Sequence, residues 1–131
     1  MRTKAAVALM GIGVLLATGT AWGHHAFSAE FDASKTVTLR GTVTKMAWVN
    51  PHSWLYIDVK NPDGTVENWA IECGPPNTLM RGGWNKNSLP IGAEVIIEGF
   101  LAKTAPHVAN GRNVSLPNGT KLFASGSAPP A

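Results

Sequence analysis

The stretch Val37-Thr38-Leu39-Arg40-Gly41-Thr42-Val43-Thr44-Lys45-Met46-Ala47-Trp48 decides the fold. Val37, Leu39, Gly41 and Val43 alternate with Thr38, Arg40, Thr42 and Thr44, the period-two pattern of a half-buried strand. The phase then slips, and Met46 and Trp48 are apolar at even positions. A slip inside one continuous run indicates a bulge or a sharp coil in a single long strand, and Gly41 permits it. Asn50-Pro51-His52 ends the run as a turn, because Pro51 has no N–H for the ladder and a fixed φ.

Working outward, Leu55, Ile57 and Val59 alternate with Trp54, Tyr56 and Asp58 in a second strand. Asn61-Pro62-Asp63-Gly64 is a hairpin turn, since Asp-Gly supplies the positive φ that tight turns need. Val66 to Cys73 reads as a third strand, with Trp69, Ile71 and Cys73 on one face. Pro75-Pro76 stops it and opens a short helix over Asn77 to Trp84, closed by Gly82-Gly83. Val95, Ile97 and Gly99 mark a fourth strand running towards Lys103. Thr104 to Gly111 reads as a loop and Arg112 to Leu116 as a fifth strand. Asn118-Gly119 lets Thr120 to Phe123 fold back as a sixth. Three strands, a helix and further strands predict an all-β domain with one short helix: an OB-fold-like barrel of five to six strands over residues 36–123. A flat meander or a small sandwich is the competing arrangement.

The chain ahead of the barrel has two parts. Arg2 and Lys4 precede an apolar run from Ala5 to Ala17, and the small residues Ala21 and Gly23 follow at the −3 and −1 positions of a cleavage site. Residues 1–23 therefore read as a secretory signal peptide. The apolar run falls short of the roughly 20 residues of a membrane span, and no Cys near the cut marks a lipoprotein anchor. The expected location is periplasmic or secreted, with no membrane anchor after processing. An uncleaved anchor and a cut after Ala21, which leaves Trp22 first, are the alternatives. Residues 24–35 form an N-terminal arm whose Phe27 and Phe31 read either as one helical turn or, preferably, as anchors onto the domain. Residues 124–131, small and Pro-rich, are a frayed tail.

Processing changes the electrostatics. The full chain carries 11 basic residues and 8 acidic ones. Loss of Arg2 and Lys4 brings the two signs almost into balance, without basic runs. Nucleic acid is thereby disfavoured as a partner. The single Cys73 cannot form an internal disulfide and reads as a core thiol.

Cleavage after Gly23 would place His24 at the amino terminus, with His25 beside it. A terminal histidine offers an amine and an imidazole from one residue, a donor set suited to Cu(II), Ni(II) or Zn(II), with copper favoured. In an OB barrel, His52 lies in the loop between strands 1 and 2, and His107 in the loop between strands 4 and 5. Those loops flank the usual ligand face. The four candidate metal ligands are therefore His24, His25, His52 and His107, with copper or another transition metal as the cofactor. Convergence sets a condition. The arm would have to run back along strand 1, roughly 40 Å at ~3.3 Å per residue.

Trp54 and Tyr56 share the outer side of strand 2, and Trp48 is a candidate to join them. They support the runner-up, a module binding a non-metal small ligand or a periplasmic protein partner. An enzyme is the weakest class, and no catalytic residue is assigned: no Ser/His/Asp spacing and no H-E-x-x-H motif is present. Glu67, Glu72, Glu94 and Glu98 read as solvated strand-face carboxylates.

The segments His24-His25-Ala26-Phe27-Ser28-Ala29-Glu30-Phe31-Asp32, Leu39-Arg40-Gly41-Thr42-Val43, Trp48-Val49-Asn50-Pro51-His52 and Gly82-Gly83-Trp84 together resemble a family of small exported bacterial proteins catalogued only as a domain of unknown function. The resemblance spans nearly all of the mature chain and implies export and an intact domain, with no activity attached. The terminal His24 alone is similar to the histidine brace of secreted copper oxygenases and of some periplasmic copper carriers. Mass spectrometry of the exported protein should find His24 as the first residue; a chain retaining Met1, or one starting at Trp22, would remove the terminal-histidine donor set.

Overall fold

The computed structural model describes residues 26–125. Residues 1–25, which include the segment that reads as a signal peptide together with His24 and His25, and residues 126–131 lie outside the described residues. A helical turn over residues 26–30 leads into β1 (Phe31–Ala47). Then come β2 (Trp54–Lys60), β3 (Val66–Glu72), a short helix (Pro76–Arg81), β4 (Glu94–Ala102), β5 (Val108–Ser115) and β6 (Lys121–Phe123). The sheet order is β3-β2-β1-β4-β5-β6, and β3 also pairs with β5. That pairing is parallel and short: Ala70 faces Val108, Ile71 faces Ala109 and Glu72 faces Asn110. It joins the two ends of a five-strand sheet into a ring, with the helix inserted between β3 and β4. This is the OB-like arrangement expected from the element order.

The phase slip in the first strand is a bulge. Val43 pairs with Ile57 and Lys45 with Tyr56, so Thr44 is the extra residue. Its Oγ1 donates to the Tyr56 carbonyl at 3.2 Å. The insertion keeps Val43 on the core side before it and turns Met46 to the core side after it, opposite Leu55. Gly41 has a different task from permitting the bulge. A Cβ there would sit 2.6 Å from the Asp58 carbonyl oxygen, so the glycine lets β1 and β2 approach.

The core is the inner row of strands β1 to β5: Leu39, Val43, Leu55, Ile57, Ile71, Val95, Ile97 and Val114. Leu79, Trp84 and Leu89, from the helix and the segment after it, are buried with them. The Trp84 indole N–H donates to the Phe123 carbonyl at 3.1 Å, tying this segment to β6. The helix is shorter than the sequence suggests. It ends at Arg81, and Gly83 takes a φ of 95° to turn the chain.

Two boundaries differ in ways that matter for the site. β1 begins at Phe31, inside the segment expected to be an arm, and its pairing with β4 is interrupted between Phe31 and Thr36. There Asp32 accepts hydrogen bonds from the Ser34 amide and hydroxyl, making a small turn. β5 begins at Val108 rather than Arg112. Residues 108–111 have the sequence character of a loop because Ala109 and Gly111 give no large apolar signal. Their small size is what the closure needs. Ala109 is fully buried beside Ile71, and a Cβ on Gly111 would meet the Ile71 side chain at 2.8 Å.

Gly99 is the tightest of these contacts, since a Cβ would lie 2.1 Å from the Asn110 carbonyl oxygen, a backbone atom that cannot step aside. Gly99→Ala should therefore lower stability by about 1–3 kcal/mol, the usual cost of forced overpacking, read as a lower urea midpoint with an unchanged slope.

Candidate functional site at the barrel closure

The strand registers define a row across the outer surface. Phe100 of β4 faces Asn110 of β5, Asn110 faces Glu72 of β3, and Glu72 faces Trp54 of β2. A second row runs from Val108 through Ala70 and Tyr56 to Lys45. The alternate residues Ile71, Leu55 and Ala109 are fully buried in the barrel, so both rows face outward.

Glu72 departs from the sequence expectation. It is not a solvated strand-face carboxylate but only 5% exposed. The Asn110 side-chain amide donates to Glu72 Oε1 at 3.1 Å. Asn110 is itself 1% exposed. His52 Nδ1 stands 3.8 Å from the same oxygen, with its ring one-third exposed. A buried carboxylate is costly unless polar or cationic groups surround it, and Asn110 and His52 are among the groups that do so here. Its signal in the sequence is indirect. Only with β5 started at Val108 does the OB order set Asn110 opposite Glu72.

The arm arrives beside this row. Phe27 and Phe31 are almost fully buried and act as anchors, as the sequence suggests. Their partner is Phe100. The Phe27 ring lies 5.7 Å from Phe31 and 5.6 Å, edge-on, from Phe100. Ala102 and Val108 pack against the trio. The Lys103 amide donates to the Glu30 carbonyl at 2.9 Å, and the Lys103 ammonium donates to the Ser28 carbonyl. The arm thus crosses the barrel surface at β4 and β5 instead of running back along β1. Neighbouring strands are about 4.8 Å apart, so Glu72 lies two strands, or ~10 Å, from Phe100. His24 and His25 are three and two residues before Phe27, and three residues span up to ~10 Å.

His52 and His107 do not come together. His107 precedes β5 with a φ of 53°, and its carbonyl accepts from the Ala70 amide at 3.0 Å. Its ring lies 5.3 Å from that of Trp69, and its Nε2 is 3.3 Å from Glu67 Oε1. Glu67 and Glu72 are five residues apart on β3, roughly 16 Å at ~3.3 Å per residue, and point to opposite faces. Each histidine has its own glutamate. Among the described residues, no three His, Cys, Asp or Glu side chains form a metal-binding group.

The aromatic candidates also divide. Trp54 and Tyr56 are half-buried on the outer rows, with Lys45 Nζ 5.5 Å from the centre of the Tyr56 ring. Trp48 packs against the core and meets Trp84 edge-on at 6.5 Å. A concavity of about 360 Å³ lies elsewhere, between Arg40, Thr42, Asp58, Glu94 and Leu116, and holds no histidine.

Residues 12–110 match a family of unknown function, DUF6152. The chain belongs to that family. No curated protein and no solved structure matches it. Membership in DUF6152 assigns no chemistry, so the site must be read from its own residues.

Cys73 is fully excluded from that surface. Its thiol lies in the core, and desolvation pushes its pKa up to about 12. It should resist alkylation by iodoacetamide at pH 8 in the folded protein and react at once in guanidinium; rapid labelling without denaturant would contradict the burial.

Proposed function

We propose that this DUF6152 member is an exported barrel that binds a divalent transition metal, copper foremost, through the processed His24 terminus and His52. The observation that supports this reading is the seat of Phe27 on Phe100. It fixes the arm within three residues of His24 and two strands of the Glu72–His52 edge. The terminal amine and imidazole of His24 would supply two nitrogens and His52 a third, a set that suits Cu(II) in the Irving–Williams order. Amine deprotonation on binding couples affinity to pH, since a chain-terminal amine ordinarily titrates at about 7.7–8.0 and carries a proton near neutrality. Higher pH should therefore favour binding. His25 is a neighbour able to substitute for His52. His107 belongs to the Glu67–Trp69 corner and is left out of the set.

The outer rows give a second reading some support, because Trp54 and Tyr56 lie half-buried on the outer face beside the small Ala70. A non-metal ligand or a periplasmic protein would then occupy the same face.

The test is Cu(II) titration of the mature protein with an authentic His24 terminus, followed by electron paramagnetic resonance. A matched chain carrying one extra residue before His24 is the control. The authentic chain should bind one equivalent more tightly and show nitrogen couplings that the extended chain lacks. Equal, weak binding by both would reject the terminal-histidine site and favour the second reading.

A further inference from the structure

The long first strand has an open side away from the closure. β1 pairs with β4 from Thr36 to Thr42, but with β2 only from Thr42 to Ala47. Beyond Asp58, β2 leaves β1 and stays with β3, where Lys60 faces Val66. No described strand takes its place beside Thr36 to Arg40. The direction of the backbone groups there follows from Val43. Its N–H donates to the Ala93 carbonyl and its carbonyl accepts from the Gly92 N–H, so Val43 bonds towards β4. Hydrogen-bonding groups alternate between the two sides of a strand. Those of Gly41, Leu39 and Val37 therefore point to β4, and those of Arg40, Thr38 and Thr36 point to the open side. We infer that this edge of β1 takes up an extended acidic peptide segment of a partner protein as an added strand. The inference is independent of the metal reading, which concerns the closure.

The side chains along the edge specify what such a strand carries. Arg40 and Lys60 are exposed and both line the concavity of about 360 Å³. Neither has an ion-pair partner among the described residues. Two acids share that concavity. Asp58 accepts from the Asn68 side-chain amide at 2.8 Å, and Glu94 lies on the other side of β1, opposite Thr42. Arg40, by contrast, borders the open edge itself. A residue of the added strand opposite Arg40 projects to the same outward face, and a carboxylate there pairs with the guanidinium across the strands. The residues on either side of it project inwards, beside Leu39, which is buried, and Val37, which is half-buried against the core. Apolar β-branched side chains suit those positions. An unpaired edge also invites a second copy of the same chain. Paired edge to edge about Thr38, two copies would set Arg40 opposite Thr36 and leave both guanidinium groups without a carboxylate.

The probe is a capped synthetic peptide of about seven residues, within the usual range of strand lengths. It alternates valine with threonine and carries a glutamate at its central outward position; a matched peptide carries lysine there. Each is titrated into the mature protein and followed by backbone amide NMR. The glutamate peptide should shift the signals of Thr36 to Gly41 and slow amide exchange at Thr36, Thr38 and Arg40. It should bind about fivefold more tightly than the lysine peptide, the size of a good cross-strand charge pair. Arg40→Glu alters an exposed side chain and should reverse that preference, a change that loss of folding would not produce. Failure of both peptides to bind at millimolar concentration would overturn the inference. So would shifts centred on the β3 edge at Val66 to Asn68, or an Arg40→Glu variant that still prefers the glutamate peptide. A dimer without peptide, with the amides of Thr36 to Arg40 protected, would give the edge to a second copy and overturn it equally.

Discussion

The parallel contact between β3 and β5 is the interaction on which the rest depends. It covers three residue pairs, yet it turns a sheet with two edges into a ring. Parallel strands cannot be joined by a tight turn, so the chain must travel through the helix, β4 and a loop before β5 can meet β3. Small residues make the meeting possible. Ala109 and Gly111 sit against Ile71, and Gly99 lets β4 pass the Asn110 carbonyl. Larger side chains at these positions would hold the strands apart and leave the sheet open.

Closure has a chemical consequence. It sets Asn110 against Glu72 and so buries a carboxylate on the outside of the barrel, where His52 and Trp54 border it. It also shortens the route of the N-terminal arm. Along β1, the arm would need to travel tens of ångströms to reach the first loop. Across β4 and β5, Phe100 offers a seat for Phe27, and Glu72 is two strands further on. The aromatic trio is satellite to the main core. Burying one phenylalanine contributes about 1.5–3 kcal/mol, so the position of the arm depends on very few side chains.

Much of the fold is legible in the sequence because its signals are local. The alternation from Val37 to Val43 and the slip before Met46 express a strand and its bulge. Asp63-Gly64 and Asn118-Gly119 mark turns at which Gly64 and Gly119 do take positive φ. The Phe27–Phe31 spacing leaves a helical turn and an anchored arm both open, and the chain uses both, with a helical turn over residues 26–30 and both rings buried. What escapes such reading is non-local. Val108 to Gly111 has no alternation of large apolar groups, since its inward residues must be small. Glu72 looks like any charged residue on a strand until its partner across the closure is known. His52 and His107 both fall in the expected loops, but side-chain direction at each loop's end, which sequence order does not specify, sends them to different glutamates.

The central proposal is that the arm, seated on Phe100, would bring a processed His24 terminus to the Glu72–His52 edge of the closure. The most direct test is the backbone amide NMR spectrum of the mature protein with substoichiometric Cu(II), whose paramagnetism erases signals near the ion. Losses are expected to centre on residues 52–54, 72 and 110, with Glu67, Trp69 and His107 much less affected. Losses centred on His107 and Glu67, or spread evenly over the surface, would contradict it.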